Sequence, residues 1–160
     1  MYKSLATAAI LLACVFSSFA QAPSRKQVTQ RLTAASRDFT VTNYGAIGDG
    51  QVAADCSMTN GAATLTCTAS HFFAEDVGKV IAVYGAGMLR NGFRQPLAAT
   101  ITAYNSGTSV TLSVNAQADV TNSERTVWGT NNTSAIQAAV DAAGDAGGGL
   151  VEFPAGHYLT

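Results

Sequence analysis

The sequence predicts a mostly β chain with a single α-helix near its C-terminal end. Two patterns carry that expectation. Between residues 51 and 129, short runs rich in β-branched residues alternate with Asn-Gly, Gly-rich and Asn-Ser-Gly breaks, the punctuation of strands and tight turns. Between Thr133 and Ala146, Ile136, Ala139, Val140 and Ala143 recur at i, i+3, i+4 and i+7, the spacing of one helical face.

The helix is the best-signalled element. Asn131, Asn132 and Ser134 ahead of the run can accept bonds from the first free helical N–H groups, and Ser134-x-x-Gln137 fits a capping box. Gly147-Gly148-Gly149 permits the left-handed exit that bulkier residues resist. Leu150 to Phe153 then reads as a short strand, stopped by Pro154 and Gly156. The narrow Ala/Ile/Val face must cover something apolar, so Ile136, Ala139, Val140 and Ala143 are expected to be the least exposed positions.

Upstream, Asp38 to Tyr44 alternates enough for a strand, with Phe39 and Val41 on one side and Thr40 and Thr42 on the other. Gly45 to Gly50 breaks it. Gly45-x-x-Gly48-x-Gly50 is not a phosphate loop, because no helical pattern follows to aim free N–H groups at an anion. In the intervening section Ala63–Cys67, Lys79–Tyr84, Leu97–Tyr104 and Val110–Val114 read as strands. Asn105-Ser106-Gly107 joins the last two as a hairpin, and Arg125 to Trp128 returns the chain to the helix start. His71 to Lys79 reads as a loop or a single helical turn. A small β-sandwich or barrel-like insertion is expected, since a structureless connection of this length is unusual. Val80 to Gly87 imitates a strand entering a dinucleotide-binding turn, but the third glycine of that fingerprint is replaced by Arg90, and Asn91-Gly92 breaks any following helix.

Five of these motifs, in this order, resemble the N-terminal part of the pectate-lyase-like superfamily of right-handed parallel β-helices, of the rhamnogalacturonase, polygalacturonase and phage tailspike type. They are Tyr44-Gly45-Ala46-Ile47-Gly48-Asp49-Gly50, Thr130 to Thr133, Ala135 to Ala138, Gly147 to Gly149, and Pro154 to Tyr158. Asn131-Asn132 stands where that pattern has paired acids, and residues 51–129 separate halves that are contiguous in compact members. The resemblance implies the start of a right-handed parallel β-helix with an N-terminal capping α-helix, interrupted by a small β-rich insertion. It divides the chain into a signal peptide (1–22), a flexible lead-in (23–37), β-helix segments (38–50 and 130–160) and the insertion (51–129).

The first residues read as an export signal. Lys3 supplies the positive start, Leu5 to Phe19 is apolar, and Ala20-Gln21-Ala22 is a small-x-small cleavage site. A lipoprotein signal ending at Cys14 is the variant reading, opposed by the apolar run that continues past it. Cleavage after Ala22 removes one of the nine basic residues and none of the ten acids. A secreted, periplasmic or cell-surface protein is expected, with no membrane contact once the signal is removed. No basic stripe points to nucleic acid. Cys56 and Cys67 then remain as an even pair flanking Asn60-Gly61. A disulfide between them suits an oxidising compartment, with two buried free thiols as the alternative. Two cysteines make no structural zinc site unless both histidines join them.

The acids do not form an obvious catalytic pair. Glycoside hydrolysis usually needs two carboxylates at a set separation, and here only Glu75-Asp76 are adjacent, as in a solvated turn. Asp49 reads as a turn residue, and His71 and His157 as structural. Trp128, Tyr84, Tyr104 and Tyr158 read as packing residues that could also stack on sugar rings. No catalytic, cofactor or metal residue is assigned, and no cofactor is implied. The resemblance implies a secreted carbohydrate-active protein, a polysaccharide lyase or glycoside hydrolase acting on pectin-like or other acidic polysaccharide. A non-catalytic tailspike-like carbohydrate-binding or attachment module is the alternative. The 160 residues are expected to be an N-terminal fragment without activity of its own, because Leu150 to Phe153 is the first coil strand and β-helix coils stabilise one another by stacking.

Overall fold

The structure is a computed structural model that describes residues 37–160; the signal segment 1–22, Cys14 within it, and residues 23–36 of the lead-in lie outside the described residues. Among those described, the fold is mostly β with one α-helix. No described helix is long and apolar enough to cross a membrane.

The segment around Asp38 forms a strand shorter than expected, β1 (Asp38–Thr40), and Val41–Tyr44 winds into a 3-10 turn. Gly45 takes a left-handed conformation at φ 92°, where its N–H and that of Ala46 close on the Thr42 and Val41 carbonyls. That closure swings Val41 into the interior, where it is fully buried.

Strands β2 (Gln51–Ala53), β3 (Cys56–Met58), β4 (Thr64–Cys67), β5 (Val80–Val83), β8 (Leu97–Ser106), β9 (Ser109–Leu112), β10 (Val120–Ser123) and β11 (Thr126–Gly129) build one eight-stranded sheet. Its order is β10-β3-β4-β9-β8-β5-β11-β2, and every neighbouring pair is antiparallel. Its outermost strands are β10 and β2, and the Ser123 hydroxyl of β10 donates to the Tyr84 and Arg125 carbonyls at the ends of β5 and β11. Tight connections explain the pairing: β3–β4 turns through Asn60-Gly61 and β8–β9 through Gly107, links too short for a parallel crossover. The long β8 serves both halves, its first residues pairing β5 and its last residues β9. Leu65 and Val110 from one half meet Ile81, Val83 and Trp128 from the other in one core. A separate two-stranded ribbon, β6 (Leu89–Arg90) and β7 (Phe93–Arg94), leaves this sheet through Asn91-Gly92. Both turn residues have positive φ, 52° and 82°, as this hairpin turn requires.

Cys56 and Cys67 are register partners across β3–β4, with Cα atoms 3.9 Å apart, and are joined as a disulfide.

The remaining frame is small. Helix α1 (Thr133–Asp145) and β12 (Leu150–Glu152) follow the sheet, and β12 pairs with β1 in parallel. Two isolated parallel bridges, Asp49 with His157 and Asn131 with Leu159, continue the same direction. These are the parallel contacts among the described residues, and by themselves they do not show a parallel β-helix.

The helix buries a slightly different face from the expected one. Ala139 and Ala143 are buried and Ile136 is half-buried, but Val140 is 46% exposed. Ala139 packs with Val41 and Ala46, with Ala135, Ile136, Val151 and Tyr158 around them. Rotation of about 100° per residue carries Val140 off that line and into solvent.

The capping also differs. Asn131 Oδ1 accepts from the Thr133 backbone N–H (3.0 Å) and hydroxyl (2.7 Å). Asn132, fully buried, spends its amide elsewhere: Oδ1 accepts from Ile47 N–H at 2.7 Å, while Nδ2 donates to the carbonyls of Ile47 and Thr130, both at 2.9 Å. Ser134 lies inside the first turn, and Gln137 donates to Asp141 at 2.8 Å, so no capping box forms between them. An uncharged amide suits this place, because it can both donate and accept, as a buried carboxylate could not.

Candidate functional site

The polar groups concentrate where the sheet meets the frame. Asp49, in the Gly48-Asp49-Gly50 turn, accepts three bonds: Thr130 N–H at 2.8 Å, Thr130 hydroxyl at 2.9 Å, and Lys79 Nζ at 2.9 Å. The turn is tight, for a Cβ on Gly50 would stand 2.8 Å from the His157 carbonyl oxygen that accepts Gly50 N–H. Lys79 enters from just before β5 and reaches a second carboxylate, Asp76 Oδ1, also at 2.9 Å. Asp76 ends the 3-10 turn Ala74–Asp76 and accepts Phe73 N–H at 2.9 Å with its other oxygen. It is 3% exposed, so the expected solvated pair Glu75-Asp76 is divided: Glu75 faces solvent and Asp76 is buried against an ammonium.

Burial pushes the Asp49 carboxyl up, but Thr130 N–H, Lys79 and the Thr130 hydroxyl outweigh it and hold it below its ordinary value. For Lys79, burial pushes down and is overcome by the bonds to Asp76 and Asp49, which raise it. An ammonium held this firmly charged between two carboxylates is a pin, with no tendency to act as a base or nucleophile.

A second pair lies beside it. His71 Nε2 is 2.7 Å from Asp55 Oδ1, and Asp55 Oδ2 accepts the Thr68 hydroxyl at 2.6 Å and Ala69 N–H at 2.7 Å. The Thr68 hydroxyl first, then Ala69 N–H and the His71 bond, depress the Asp55 carboxyl well below the carboxylate range. His71 lies edge-on to Trp128 with centroids 6.2 Å apart, and Phe72 packs on the same indole at 4.9 Å. Sequence spacing hides the Asp55–His71 pair, whose members are 16 residues apart in two different connecting segments. Asp55, Cys56 and Cys67 place potential metal ligands within 4.8 Å of one another, but the sulfurs are bonded to each other and neither can ligate as a thiolate.

The joint has a cavity on each side. One, about 190 Å³, is lined by Asp49, Glu75, Asp76, Lys79, His71 and the exposed Phe73 ring among others. The other is a groove of about 290 Å³ between the β2–β11 edge and the 157–159 segment. Arg125, Val127, Gln51, Val52, His157 and Tyr158 line it, and its lining includes no carboxylate. Arg125 stands out of the joint, with its guanidinium carbon 5.8 Å from the centre of the Tyr84 ring. Of the aromatic residues noted in sequence, Trp128 is 2% exposed and out of reach of any ligand, whereas Tyr158 borders the groove.

Asp49 and, through Lys79, Asp76 thus hold the joint together, while Asp55 ties Thr68, Ala69 and His71 within the inserted section. Glycoside cleavage by paired carboxylates needs one acid and one base free to exchange protons across a substrate. Asp49, Asp55 and Asp76 are each saturated by structural donors.

No family model matches the chain, and no curated protein matches it. Among solved structures it is similar to the tailspike gp61 of Pseudomonas phage phi297, at 20% identity and a TM-score of 0.37, over 61% of this chain. The match spans 18% of the tailspike chain.

Proposed function

We propose that the frame is the first turn of a right-handed parallel β-helix, and that the chain is the N-terminal part of an exported protein acting on pectin-like or other acidic polysaccharide. In this reading α1 caps the β-helix, the eight-stranded sheet is an insertion into it, and lyase or hydrolase chemistry resides on further coils. The observation that carries it is the parallel progress of two segments far apart in sequence. Asp38–Thr40 runs beside Leu150–Glu152, Asp49 beside His157, and Asn131 beside Leu159. A parallel pair requires a long crossover; the sheet with α1 supplies it for the first two pairings, and α1 with β12 for Asn131 and Leu159. Leu150 and Phe153 remain 58% and 51% exposed on the frame, apolar surface of the kind that a following coil covers.

The test is turnover of polygalacturonan, read as unsaturated uronides for a lyase and as new reducing ends for a hydrolase. Residues 23–160 alone should produce neither. The complete product of the reading frame that encodes them should produce one. Cleavage by residues 23–160, or a complete product inert toward acidic polysaccharides, would overturn the reading.

A further inference from the structure

The chain contains two Asn-Gly steps, Asn60-Gly61 and Asn91-Gly92, and the fold treats them in opposite ways. Asn-Gly is the dipeptide at which a polypeptide most readily attacks itself. The backbone nitrogen that follows the asparagine can reach the side-chain amide carbon, and glycine puts no Cβ in the path. In a folded protein the attack requires that this nitrogen be free and that the local backbone can rotate.

At Asn60-Gly61 neither condition is met. Gly61 N–H donates to the Ala116 carbonyl at 2.7 Å, and Ala116 N–H donates to the Ala62 carbonyl at 2.8 Å. Asn60 N–H donates to Asp119 Oδ1 at 2.9 Å. Ala116 is itself buried in the core, so these bonds fasten the turn to the interior. The turn also lies inside the loop closed by the Cys56–Cys67 disulfide.

At Asn91-Gly92 both conditions are met. Both residues are exposed, and among the described residues Gly92 N–H has no hydrogen-bond partner. The β6–β7 ribbon around them has two residues per strand and pairs with no other strand. Its apolar side chains gain little burial, for Leu89 is 59% and Phe93 74% exposed. Two backbone bonds close its base, Gly87 N–H to the Gln95 carbonyl and Gln95 N–H to the Met88 carbonyl, both at 3.0 Å. A two-stranded ribbon without further cover is marginally stable, so it opens locally while the sheet stays closed. Opening matters because the closed turn holds Asn91 left-handed at φ 52°. Release lets the backbone rotate until the Gly92 nitrogen faces Asn91 Cγ.

We propose that Asn91 is a site of self-modification, deamidating through a cyclic imide, and that the fold protects Asn60 from the same reaction. Base removes the Gly92 N–H proton, and the nitrogen bonds to Asn91 Cγ. The Cγ–Nδ2 bond breaks and ammonia leaves. Water then opens the five-membered imide at either of its carbonyls. One opening gives aspartate; the other gives isoaspartate, in which the main chain runs through the former side chain. Water and base are the only co-reactants, and no electrons change hands. Either product sets a carboxylate next to Arg90 in the sequence. Isoaspartate also adds one backbone atom to a turn that two residues close, so the ribbon loses its register in that product. The site stands apart from the polysaccharide reading and does not depend on it.

The experiment follows the full chain in mildly alkaline buffer, folded and in urea, by peptide mapping with mass detection at each asparagine. In the folded protein Asn91 should convert at least tenfold faster than Asn60. In urea, where the fold protects neither, the two should convert at similar rates. Asn91 should yield both aspartate and isoaspartate, and its rate should rise with pH. Asn91→Gln, whose longer side chain closes a ring far more slowly, should remove the acidic form that accumulates on anion exchange. The inference is overturned if Asn60 keeps pace with Asn91 in the folded protein, or if Asn91 converts in urea and stays an amide when folded. Aspartate without isoaspartate would also overturn it, since direct hydrolysis gives aspartate alone.

Discussion

Fifteen buried residues, from Ala53 to Trp128, pack together inside the eight-stranded sheet, whereas the frame's core holds three, Val41, Ala46 and Ala139. The sheet adds a disulfide to its apolar interior. The frame relies on polar cross-links instead: the buried amide of Asn132 and the carboxylate of Asp49. Its larger apolar residues Ile47, Val140, Leu150 and Phe153 remain exposed. Apolar burial is non-directional and accumulates with area, while a buried hydrogen bond fixes geometry and contributes a modest net stability. The sheet is therefore built to be stable by itself, and the frame is built to hold a shape that other surface can cover.

The largest expected effect lies in the sheet. Trp128→Ala removes the side chain that joins both halves of the core and should cost about 3–5 kcal/mol, read from the denaturant midpoint. Replacing Cys56 and Cys67 together by Ala should cost about 3 kcal/mol, the value for a loop of this length, since their sequence separation is 11. Asn132→Ala should cost about 1–3 kcal/mol, because the Ile47 N–H and carbonyl lose their partner in the interior. If the comparison holds, that loss falls on the frame: far-UV dichroism should show helix melting ahead of the sheet. A single shared transition in this variant would break the comparison.

The smallest effect is on pH dependence. Asp49 and Asp55 have lowered folded values, so their contribution is present above the unfolded value of ~3.9 and is lost as pH falls through the folded ones. Lys79 is raised, so its contribution is present below ~10.4 and is lost as pH rises through its folded value. Stability should be flat between about pH 5 and 9 and decline on both sides. Asp49→Asn should shallow the acid limb, and an unchanged limb would remove Asp49 from the joint.

Much of the sheet was legible because its determinants are local. Asn60-Gly61 and Asn105-Ser106-Gly107 specify turns within a few residues, and the strands on either side follow from alternation. Asn91-Gly92, visible as a helix breaker, is the turn of a ribbon whose two-residue strands are too short to show a period. Val41 was misplaced because a 3-10 turn and an alternating strand give similar patterns over four residues, and only the left-handed Gly45 decides between them. Val140 shows the same limit on a helix, where the apolar stripe is known but the neighbour that selects its centre is not. The site was less legible. Thr130 lies 81 residues from Asp49, and the groove draws Gln51, Arg125 and Tyr158 from three separate segments. Asp49 could be found as the one acid between two glycines of a turn motif; Arg125 carries no comparable mark.

Native-state hydrogen exchange tests the contrast most directly. Amides of Leu65, Ile81, Ile101 and Val110, in the centre of the sheet, should exchange only through global unfolding. Amides of Leu150 and of the α1 residues Ala139 and Ala143, in the frame, should exchange at least tenfold faster, through opening that leaves the sheet intact. Equal protection in both regions would contradict the account, because the frame would then be as closed as the sheet.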